Sequence, residues 1–365
     1  MHYHIVLTQR CNLSCIYCGA TVEPELMPVN LELSTEELNS FFEKDKEPPV
    51  IAFYGGEPLL EVEKIEQIMD NIPAKAFMIQ TNGTLLKRLK PQHISKFHSI
   101  LISIDGRKEI TDYYRGKGTY ERALNGARYA LENGFKGDLI ARMTASEKSD
   151  IFEEVIHLIN LKKPQFTHVH WQLDAMWDDE MYTRWKDFPG WLYDNYIPGI
   201  SNLVKYWIKN IEEKHKILGI APFKGIMHTL LSGEKVELRC GAGIDFFSIT
   251  TDGRITVCPI PPSIDFAVVG HVKTSSPKDL PYKVTLDEPC LSCEERHVCG
   301  GRCLYTNKTK LWGEEGFNMV CDATKHLIRE LRKKRPTIEK FIKEGIFKIT
   351  DFKYPIIPNG VEIIP

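Results

Sequence analysis

The first half of the chain alternates short apolar runs with longer amphipathic stretches, and this rhythm constrains the fold more than any other feature. Six runs rich in β-branched and aromatic residues occur before residue 175: HIVLT, VIAFYG, AFMIQT, SILISID, DLIARMT and FTHVHWQLD. Strands that alternate with helical patterns form parallel sheets joined by right-handed crossovers. Residues 1–175 therefore predict an α/β fold, a partial (β/α)6 TIM-like barrel with functional residues at the carboxyl ends of its strands.

The helical stretches between these runs carry signals for where they begin and end. STEELNSFFEK begins with Ser34 or Thr35 as an N-cap candidate, followed by Glu36 or Glu37. TYERALNGARYALENG is amphipathic and ends on Gly134, which is typical of a helix C-cap. Both segments therefore predict helices that cross from one strand to the next.

The rest of the chain lacks this rhythm and divides into three parts. Residues 176–235 contain helical patterns such as ISNLVKYWIKNIEEKHKIL, which predict a helical bridge. Residues 236–335 are loop-rich, with a hairpin signal in TTDGRITV, and end in a basic helix, KHLIRELRKKR, before Pro336. Residues 336–365 are predicted to form a C-terminal tail.

The charge balance and the apolar pattern exclude two classes of partner. Lys and Arg number 47 against 49 Asp and Glu, a net charge of −2, so the broad positive field of a nucleic-acid-binding protein is missing. No run of about 18 apolar residues occurs, and the first residues do not resemble a secretion signal. We therefore expect a cytoplasmic protein that binds neither nucleic acid nor membranes.

Ten cysteines fall in two groups, three between residues 11 and 18 and seven between 240 and 321. Because cytosolic thiols normally stay reduced, such clustering indicates metal ligands rather than disulfides. The first group, RCNLSCIYC, follows the first strand and suits one 4Fe-4S cubane with one iron left open. A zinc site with His2 or His4 is the alternative, although we interpret both histidines as strand residues.

Four residues of this group, Cys11, Cys15, Tyr17 and Cys18, fit the CxxxCxYC signature, and the chain thereby resembles the radical S-adenosylmethionine (SAM) superfamily. The resemblance implies that SAM chelates the open iron of a 4Fe-4S cluster held by the three cysteines. It further implies that one electron from the cluster cleaves SAM to a 5′-deoxyadenosyl radical, which abstracts a substrate hydrogen.

A second motif of the same family follows the second strand. Gly55, Gly56, Glu57 and Pro58 resemble its GGEP sequence. Paired glycines permit close approach of the backbone to a ligand. The resemblance implies that Glu57 orients the ammonium group of SAM through a charge-assisted hydrogen bond.

Polar residues at later strand ends also resemble positions of the family. Ser103 and Asp105, after the fourth strand, resemble the pair that contacts the ribose hydroxyls of SAM, and Thr81 and Asn82 end the third strand beside them. Arg142, on the fifth strand, resembles the arginine that pairs with the SAM carboxylate. These strand-end residues are therefore expected to surround SAM.

The second cysteine group has an unusual spacing that resembles the seven-cysteine SPASM extension of the superfamily. Its members are Cys240, Cys258, Cys290, Cys293, Cys299, Cys303 and Cys321. The resemblance implies two auxiliary 4Fe-4S clusters, for a total of three. Cys290, Cys293, Cys299 and Cys321 would hold the distal cluster, and Cys240, Cys258 and Cys303 the proximal one.

The proximal cluster has no fourth cysteine, and the sequence leaves several ligands open. These are water, Asp245, His228, His271 or a substrate thiolate. Two structural zinc ions form the competing interpretation of the whole group, with His297 as a further ligand.

The resemblance favours a radical SAM enzyme that modifies a peptide or protein, by a thioether or carbon–carbon crosslink, epimerisation or a similar change. Sulfatase-maturase-like oxidation requires an Asp after the second cysteine of the extension, where this chain has Pro259. Rearrangement of a small molecule and non-catalytic electron transfer are the competing functions. A low-potential electron donor such as ferredoxin or flavodoxin is the expected redox partner.

The substrate surface is expected at the sixth strand and on the helical bridge. Trp171, Gln172 and Asp174, at the end of the sixth strand, are predicted to face the reaction space. Arg115, in YYRGKGTY, is predicted to reach its mouth. Because the first cysteine lies so near the start of the sequence, a leader peptide would bind at the bridge or through a separate protein.

Overall fold

The computed structural model describes residues 1–19, 26–174, 185–260, 264–361 and 363–364. Its first part contains six strands: β1 (His2–Val6), β2 (Val50–Tyr54), β3 (Ala76–Thr81), β4 (Phe97–Ser103), β5 (Asp138–Ala145) and β6 (His168–Leu173). The helices between them are α1 (Thr35–Phe42), α2 (Val62–Asn71), α3 (Pro91–Ile94), α4 (Lys108–Arg115), α5 (Thr119–Glu132) and α6 (Ile151–Asn160). Short 3₁₀ turns occupy Pro58–Glu61 and Leu86–Arg88.

These six strands lie side by side in chain order and are parallel throughout. The predicted partial (β/α)6 barrel is therefore confirmed. The capping signals act as predicted on α1, where the Ser34 hydroxyl accepts from the Glu37 amide and the Glu37 carboxylate accepts from the Ser34 amide. Helix α5 ends at Glu132, and Gly134 follows in the left-handed region at φ 93°.

Side chains alternate between the two faces of the strands and form two separate apolar layers. Ile51 and Phe53 of β2 belong to the large core between the sheet and the helices, whereas Val50 and Ala52 form a small cluster with two residues of β3. Successive side chains of a strand point to opposite faces, so the small cluster lies on the concave side of the sheet. Ile357, near the C-terminus, packs against it.

Beyond the barrel, helices follow at α7 (Phe188–Trp191), a π-helical turn (Leu192–Tyr196), α8 (Ile197–Lys214) and α9 (Ala221–Ser232). These helices agree with the predicted bridge, whose first residues, 176–184, lie outside the described residues. Later helices are α10 (Arg296–Cys299), α11 (Leu304–Thr309) and α12 (Gly313–Lys343), with 3₁₀ turns at Asp265–Ala267, Pro277–Asp279 and Ile349–Phe352. None of the described helices combines the length and apolarity needed to cross a bilayer.

The loop-rich part contributes three more strands to the same sheet. They are β7 (Phe246–Ile249), β8 (Arg254–Thr256) and β9 (Val268–His271). β7 pairs in parallel with β1, and β8 and β9 continue in antiparallel order, giving β6-β5-β4-β3-β2-β1-β7-β8-β9 within the described residues. The sheet is therefore continuous between the barrel and the part that carries the second cysteine group, which the sequence pattern did not predict.

Helix α12 also differs from expectation, because it continues through Pro336 to Lys343 rather than ending before the proline. Proline removes one backbone hydrogen bond, but packing of the buried face outweighs this loss: Leu327, Leu331 and Ile338 are all buried. The boundary expected at 335/336 therefore falls inside a helix. The chain beyond it is also well packed, with Phe352 and Ile363 buried.

Candidate functional site

A cavity of about 320 Å³ opens at the carboxyl ends of the barrel strands, a volume typical of small-molecule sites, which span about 300–1,000 Å³. Both parts of the chain line it. From the barrel come Tyr17, Cys18, Gly55, Gly56, Ser103, Arg115, Arg142 and Gln172. From the later part come Cys240, Thr250, Cys258, Pro259, Cys303 and Tyr305.

The first three cysteines lie on the loop after β1, which we call the cluster loop (residues 11–18). All three are free thiols, and Cys18 lines the cavity. The backbone amide of Leu13 donates to Cys11 Sγ at 3.4 Å, and the side-chain Nδ2 of Asn82 lies 4.0 Å from the same sulfur. Burial raises the pKa of Cys11, and the hydrogen bond from Leu13 opposes that rise.

Burial makes the thiols of this loop hard to deprotonate in the absence of metal. Burial raises the pKa of Cys15 to about 11, and the Arg115 guanidinium opposes that rise. A coordinated metal deprotonates a thiol, so iron bound by these cysteines would offset the effect of burial. Among the residues that the structure describes, no three His, Cys, Asp or Glu side chains are arranged to hold one metal ion as they stand.

Tyr17, inside the signature, connects the cluster loop to the end of β4. Its side chain is only 8% exposed, and its hydroxyl donates to Asp105 Oδ2 at 2.5 Å. Arg115 lies over the ring, with 5.4 Å between the guanidinium carbon and the ring centroid. Tyr17, the aromatic residue of the signature, therefore joins the cluster loop to the carboxylate of Asp105 at the end of β4.

Asp105 does not reach the cavity as the sequence predicted. It is fully buried, and its carboxylate accepts from Tyr17, from Arg115 at 2.8 Å on each oxygen, and from the Thr144 amide at 2.9 Å. A carboxylate with four donors has no free lone pair directed at a ribose. Of the predicted pair, Ser103 alone lines the cavity.

Gly55 and Gly56 line the cavity where β2 ends. Gly55 has φ 142°, and a Cβ there would lie 2.3 Å from the Thr8 carbonyl oxygen. A Cβ on Gly56 would lie 2.3 Å from the Arg10 carbonyl oxygen. Both positions therefore require glycine, because the backbone between Thr8 and Arg10, just before the cluster loop, passes directly beside them.

Glu57 turns away from the cavity, which differs from its expected contact with the SAM ammonium. Its side chain is fully buried and accepts from the Leu59 amide at 3.0 Å, the Thr81 hydroxyl at 2.7 Å and the Asn82 amide at 2.8 Å. The carboxylate thus joins the end of β2 to the end of β3. The glycines before it, rather than its own side chain, border the cavity.

Burial also gives Glu57 a measurable pH signature. Burial raises its pKa from 4.5 to about 7, ahead of the opposing hydrogen bonds from Asn82, Thr81 and Leu59. The folded state therefore binds this proton more tightly than the unfolded state, and the stability it contributes is lost as pH rises through 7. We expect the free energy of unfolding to fall by about 1.4 kcal/mol between pH 6 and pH 8 through this group.

Anaerobic urea denaturation of the wild type and Glu57→Gln at both pH values measures this difference. Glutamine cannot titrate, so the variant should lack this component of the pH dependence. Parallel pH profiles for the two proteins would contradict the assignment.

Thr81 and Asn82 likewise act behind the cavity wall. The Thr81 hydroxyl is used by Glu57, and the Asn82 side chain donates to Asn12 Oδ1 at 2.8 Å beside Cys11. Neither residue lines the cavity. Together they connect the end of β3 to Glu57 and to the cluster loop.

The residues of β6 that were predicted to face the reaction space lie on opposite faces of the strand. Trp171 is fully buried and donates to the Tyr196 hydroxyl at 2.8 Å, so the prediction that it faces the reaction space is wrong. Gln172 lines the cavity and accepts from Arg142, which also contacts His170 Nδ1 at 3.0 Å. This division follows from the two-residue period of a strand.

The seven later cysteines separate into two sets by the cavities they line. Cys240, Cys258 and Cys303 share the large cavity with Cys18. Cys290, Cys293, Cys299 and Cys321 line a second cavity of about 40 Å³. None of the seven forms a disulfide within the described part of the chain. This separation matches the three-and-four division that the SPASM resemblance implies.

The three side chains considered as a fourth proximal ligand, Asp245, His228 and His271, are absent from the described lining of the large cavity. His271 Nε2 contacts the Asp252 carbonyl at 3.1 Å, and its Nδ1 accepts from the Lys273 amide at 3.1 Å. His228 Nδ1 lies 3.8 Å from Glu234. Tyr305 does line the cavity, two residues after Cys303, although no sequence signal pointed to it.

Comparison with known families and sequences agrees with the barrel assignment. Residues 5–161 match the radical SAM superfamily. The Fe-coproporphyrin III synthase of Methanosarcina barkeri is 32% identical over 152 residues, 40% of this chain, and the chain spans only 37% of that relative's length. The AdoMet-dependent heme synthase of Oleidesulfovibrio alaskensis is 24% identical over 321 residues, 81% of this chain and 80% of the relative.

Comparison with solved structures shows the same fold over nearly the whole chain. The structure of anSMEcpe with bound AdoMet matches with a TM-score of 0.72 at 19% identity and covers 94% of this chain and 100% of that one. Streptococcus suis SuiB bound to its precursor peptide SuiA matches with a TM-score of 0.58 at 16% identity, over 85% and 73%. At these identities the likeness concerns the fold alone.

Proposed function

Since this chain is a member of the radical SAM superfamily through the domain at residues 5–161, we propose that it modifies a peptide or protein by radical chemistry. It would cleave SAM reductively to a 5′-deoxyadenosyl radical and abstract a hydrogen from its substrate. The product would be a thioether or carbon–carbon crosslink, an epimerised centre or a similar modification. Two auxiliary 4Fe-4S clusters would use the second cysteine group.

The shared cavity is the observation that carries this proposal. Cys240, Cys258 and Cys303 line the same space as Cys18 and the glycines that end β2. A cluster held by these three thiolates would lie beside the reacting centre, where it can accept an electron from, or coordinate, the substrate. Seven cysteines exceed the needs of a single C-terminal cluster, and this disfavours the rearrangement of a small molecule.

The solved structures support a peptide as the substrate class. One describes anSMEcpe with AdoMet and a Cp18Cys peptide, at a TM-score of 0.71, and another describes SuiB with its precursor peptide. Both are similar to this chain in fold, including the part beyond the barrel. A low-potential donor, ferredoxin or flavodoxin, would supply electrons in the cytoplasm.

The residues of the chain fit distinct roles in this mechanism. When bound, a 4Fe-4S cluster on Cys11, Cys15 and Cys18 supplies the electron that cleaves SAM. Gly55 and Gly56 allow close backbone contact with SAM, and Arg142, which lines the cavity, would pair with the SAM carboxylate. The side chains of Glu57 and Asp105 contribute by ordering the strand ends rather than by contact.

The decisive test is transfer of deuterium from a labelled peptide. Anaerobically reconstituted protein, reduced with dithionite in the presence of SAM, is expected to form 5′-deoxyadenosine. With a candidate peptide encoded near this gene and deuterated at its α-carbons and side chains, the label should appear in 5′-deoxyadenosine. Absence of 5′-deoxyadenosine would contradict the enzyme proposal, and unlabelled 5′-deoxyadenosine with every peptide would contradict the peptide proposal.

A tetrapyrrole is the second candidate substrate, because the match to the AdoMet-dependent heme synthase spans most of both chains. Adding Fe-coproporphyrin III to the same assay distinguishes the two. A change of that porphyrin's mass together with 5′-deoxyadenosine formation would favour the tetrapyrrole. Sulfatase-maturase-like oxidation is disfavoured, since Pro259 lines the cavity where that resemblance requires an Asp.

A further inference from the structure

An ion pair between Arg115, in the cavity wall, and Asp105, behind it, connects the end of β4 to the cluster loop. Arg115, the last residue of α4, donates to both oxygens of Asp105 at 2.8 Å. The Arg115 side chain is 9% exposed and that of Asp105 is fully buried. A two-pronged, buried pair of this kind holds its partners in one geometry.

Two further contacts carry this geometry to the cluster loop. The Tyr17 hydroxyl donates to Asp105, and the guanidinium of Arg115 covers the Tyr17 ring. The Ile16 amide donates to the carbonyl of Tyr114 at 2.8 Å, one residue before Arg115. Ile16 and Tyr17 stand between Cys15 and Cys18, so the pair controls the backbone that presents both thiols.

The same contacts fix a positive charge close to the cluster loop. Arg115 lines the cavity next to Tyr17 and Cys18 and stays protonated at any working pH. A fixed positive charge near an iron-sulfur cluster favours its reduced, more negative state, and low exposure weakens screening by solvent. The negative charge of Asp105 acts in the opposite sense.

We propose that Arg115, held by Asp105, is a positioning residue for the cluster loop and a fixed charge that raises the reduction potential of the cluster bound there. This inference rests on the proposed radical SAM function. The positioning part predicts the same effect for substitutions of Arg115 and Asp105, because both residues belong to one ion pair. The electrostatic part predicts opposite effects, because the two residues carry opposite charges.

The geometric part predicts that either substitution loosens the loop. In the metal-free protein, hydrogen exchange over residues 11–18 should accelerate by about tenfold or more in Arg115→Gln and in Asp105→Asn. Arg107 offers a matched control. It lies two residues after Asp105 in the sequence and donates two hydrogen bonds to the buried carboxylate of Glu154, but neither residue contacts the cluster loop in the hydrogen bonds described. Arg107→Gln should leave exchange of the loop unchanged.

The electrostatic part predicts shifts of opposite sign. In an EPR-monitored redox titration of the reconstituted protein, the cluster whose signal responds to SAM is followed. Its midpoint potential should fall in Arg115→Gln and rise in Asp105→Asn. The double variant should lie between the two, and Arg115→Lys, which keeps the charge, should lie closer to the wild type than Arg115→Gln does.

The outcomes separate this inference from the proposed function. A wild type without any SAM-responsive signal overturns both. If the wild type shows that signal, the electrostatic part is overturned when the midpoint potential shifts in the same direction in Arg115→Gln and Asp105→Asn, or does not shift in either. If hydrogen exchange over residues 11–18 in Arg115→Gln and Asp105→Asn equals that in Arg107→Gln, the positioning part is overturned. If Arg115→Gln does not fold, Arg115→Lys and Asp105→Asn still provide the comparison.

Discussion

Cys11→Ala is expected to abolish reductive cleavage of SAM. The cluster loop supplies three thiolates, and removal of one leaves two ligands for a cubane that needs three from the protein. Loss of even a residue that only hydrogen-bonds to a metal ligand lowers metal affinity or activity by about 10–100-fold, so loss of a direct ligand should lower 5′-deoxyadenosine formation by more than about 100-fold. Chromatographic assay of 5′-deoxyadenosine after dithionite reduction measures the effect.

Cys321→Ala provides the matched control, because it makes the same chemical change at the second cavity. With three cubanes the wild type holds about twelve irons, and each variant should lose about four of them. Cys321→Ala should still cleave SAM measurably, since its cavity is separate from that of Cys18. Equal loss of cleavage in the two variants would contradict the assignment of distinct clusters.

Gly55→Ala is expected to disturb both stability and SAM binding. The new Cβ would lie 2.3 Å from the Thr8 carbonyl oxygen, which also accepts from the Gly56 amide at 2.8 Å. Because backbone cannot rotate away as a side chain can, the end of β2 and the backbone at Thr8, which leads into the cluster loop, must separate. We expect a loss of about 1–3 kcal/mol in the free energy of unfolding from overpacking, and weaker SAM binding by calorimetry.

Gly345→Ala separates this clash from the cost of the backbone conformation itself. Gly345 has φ 76°, and a Cβ there meets no atom within 4 Å. Its substitution therefore reports left-handed strain alone. If Gly55→Ala were no more destabilised than Gly345→Ala and bound SAM equally well, the close approach at Thr8 would be disproved.

The strands and the caps were predictable because their signals are local. The run AFMIQT is the whole of β3, and Ser34 with Glu37 forms the capping box that their spacing indicates. By contrast, the continuation of α12 through Pro336 depends on packing against distant parts of the chain, which outweighs the local propensity of proline.

The candidate site was predictable in position but not in the direction of its side chains. Glu57 and Asp105 stand at strand ends, as the motifs indicate, yet both carboxylates turn inward. Their donors come from other strands and helices: Thr81 and Asn82 for Glu57, and Tyr17 and Arg115 for Asp105. No sequence pattern shows whether such partners lie within reach.

The sequence by itself determined the parallel barrel, the two groups of cysteines and the radical SAM resemblance, because each depends on residue types at short spacing, and the division of the later cysteines into three and four is what the SPASM resemblance implies. Only the tertiary structure decided that Cys240, Cys258 and Cys303 share a cavity with Cys18, and that β7 extends the sheet beside β1. Both results join residues more than 200 positions apart. Such contacts are set by the closing of the sheet and the burial of its faces, which no local pattern records.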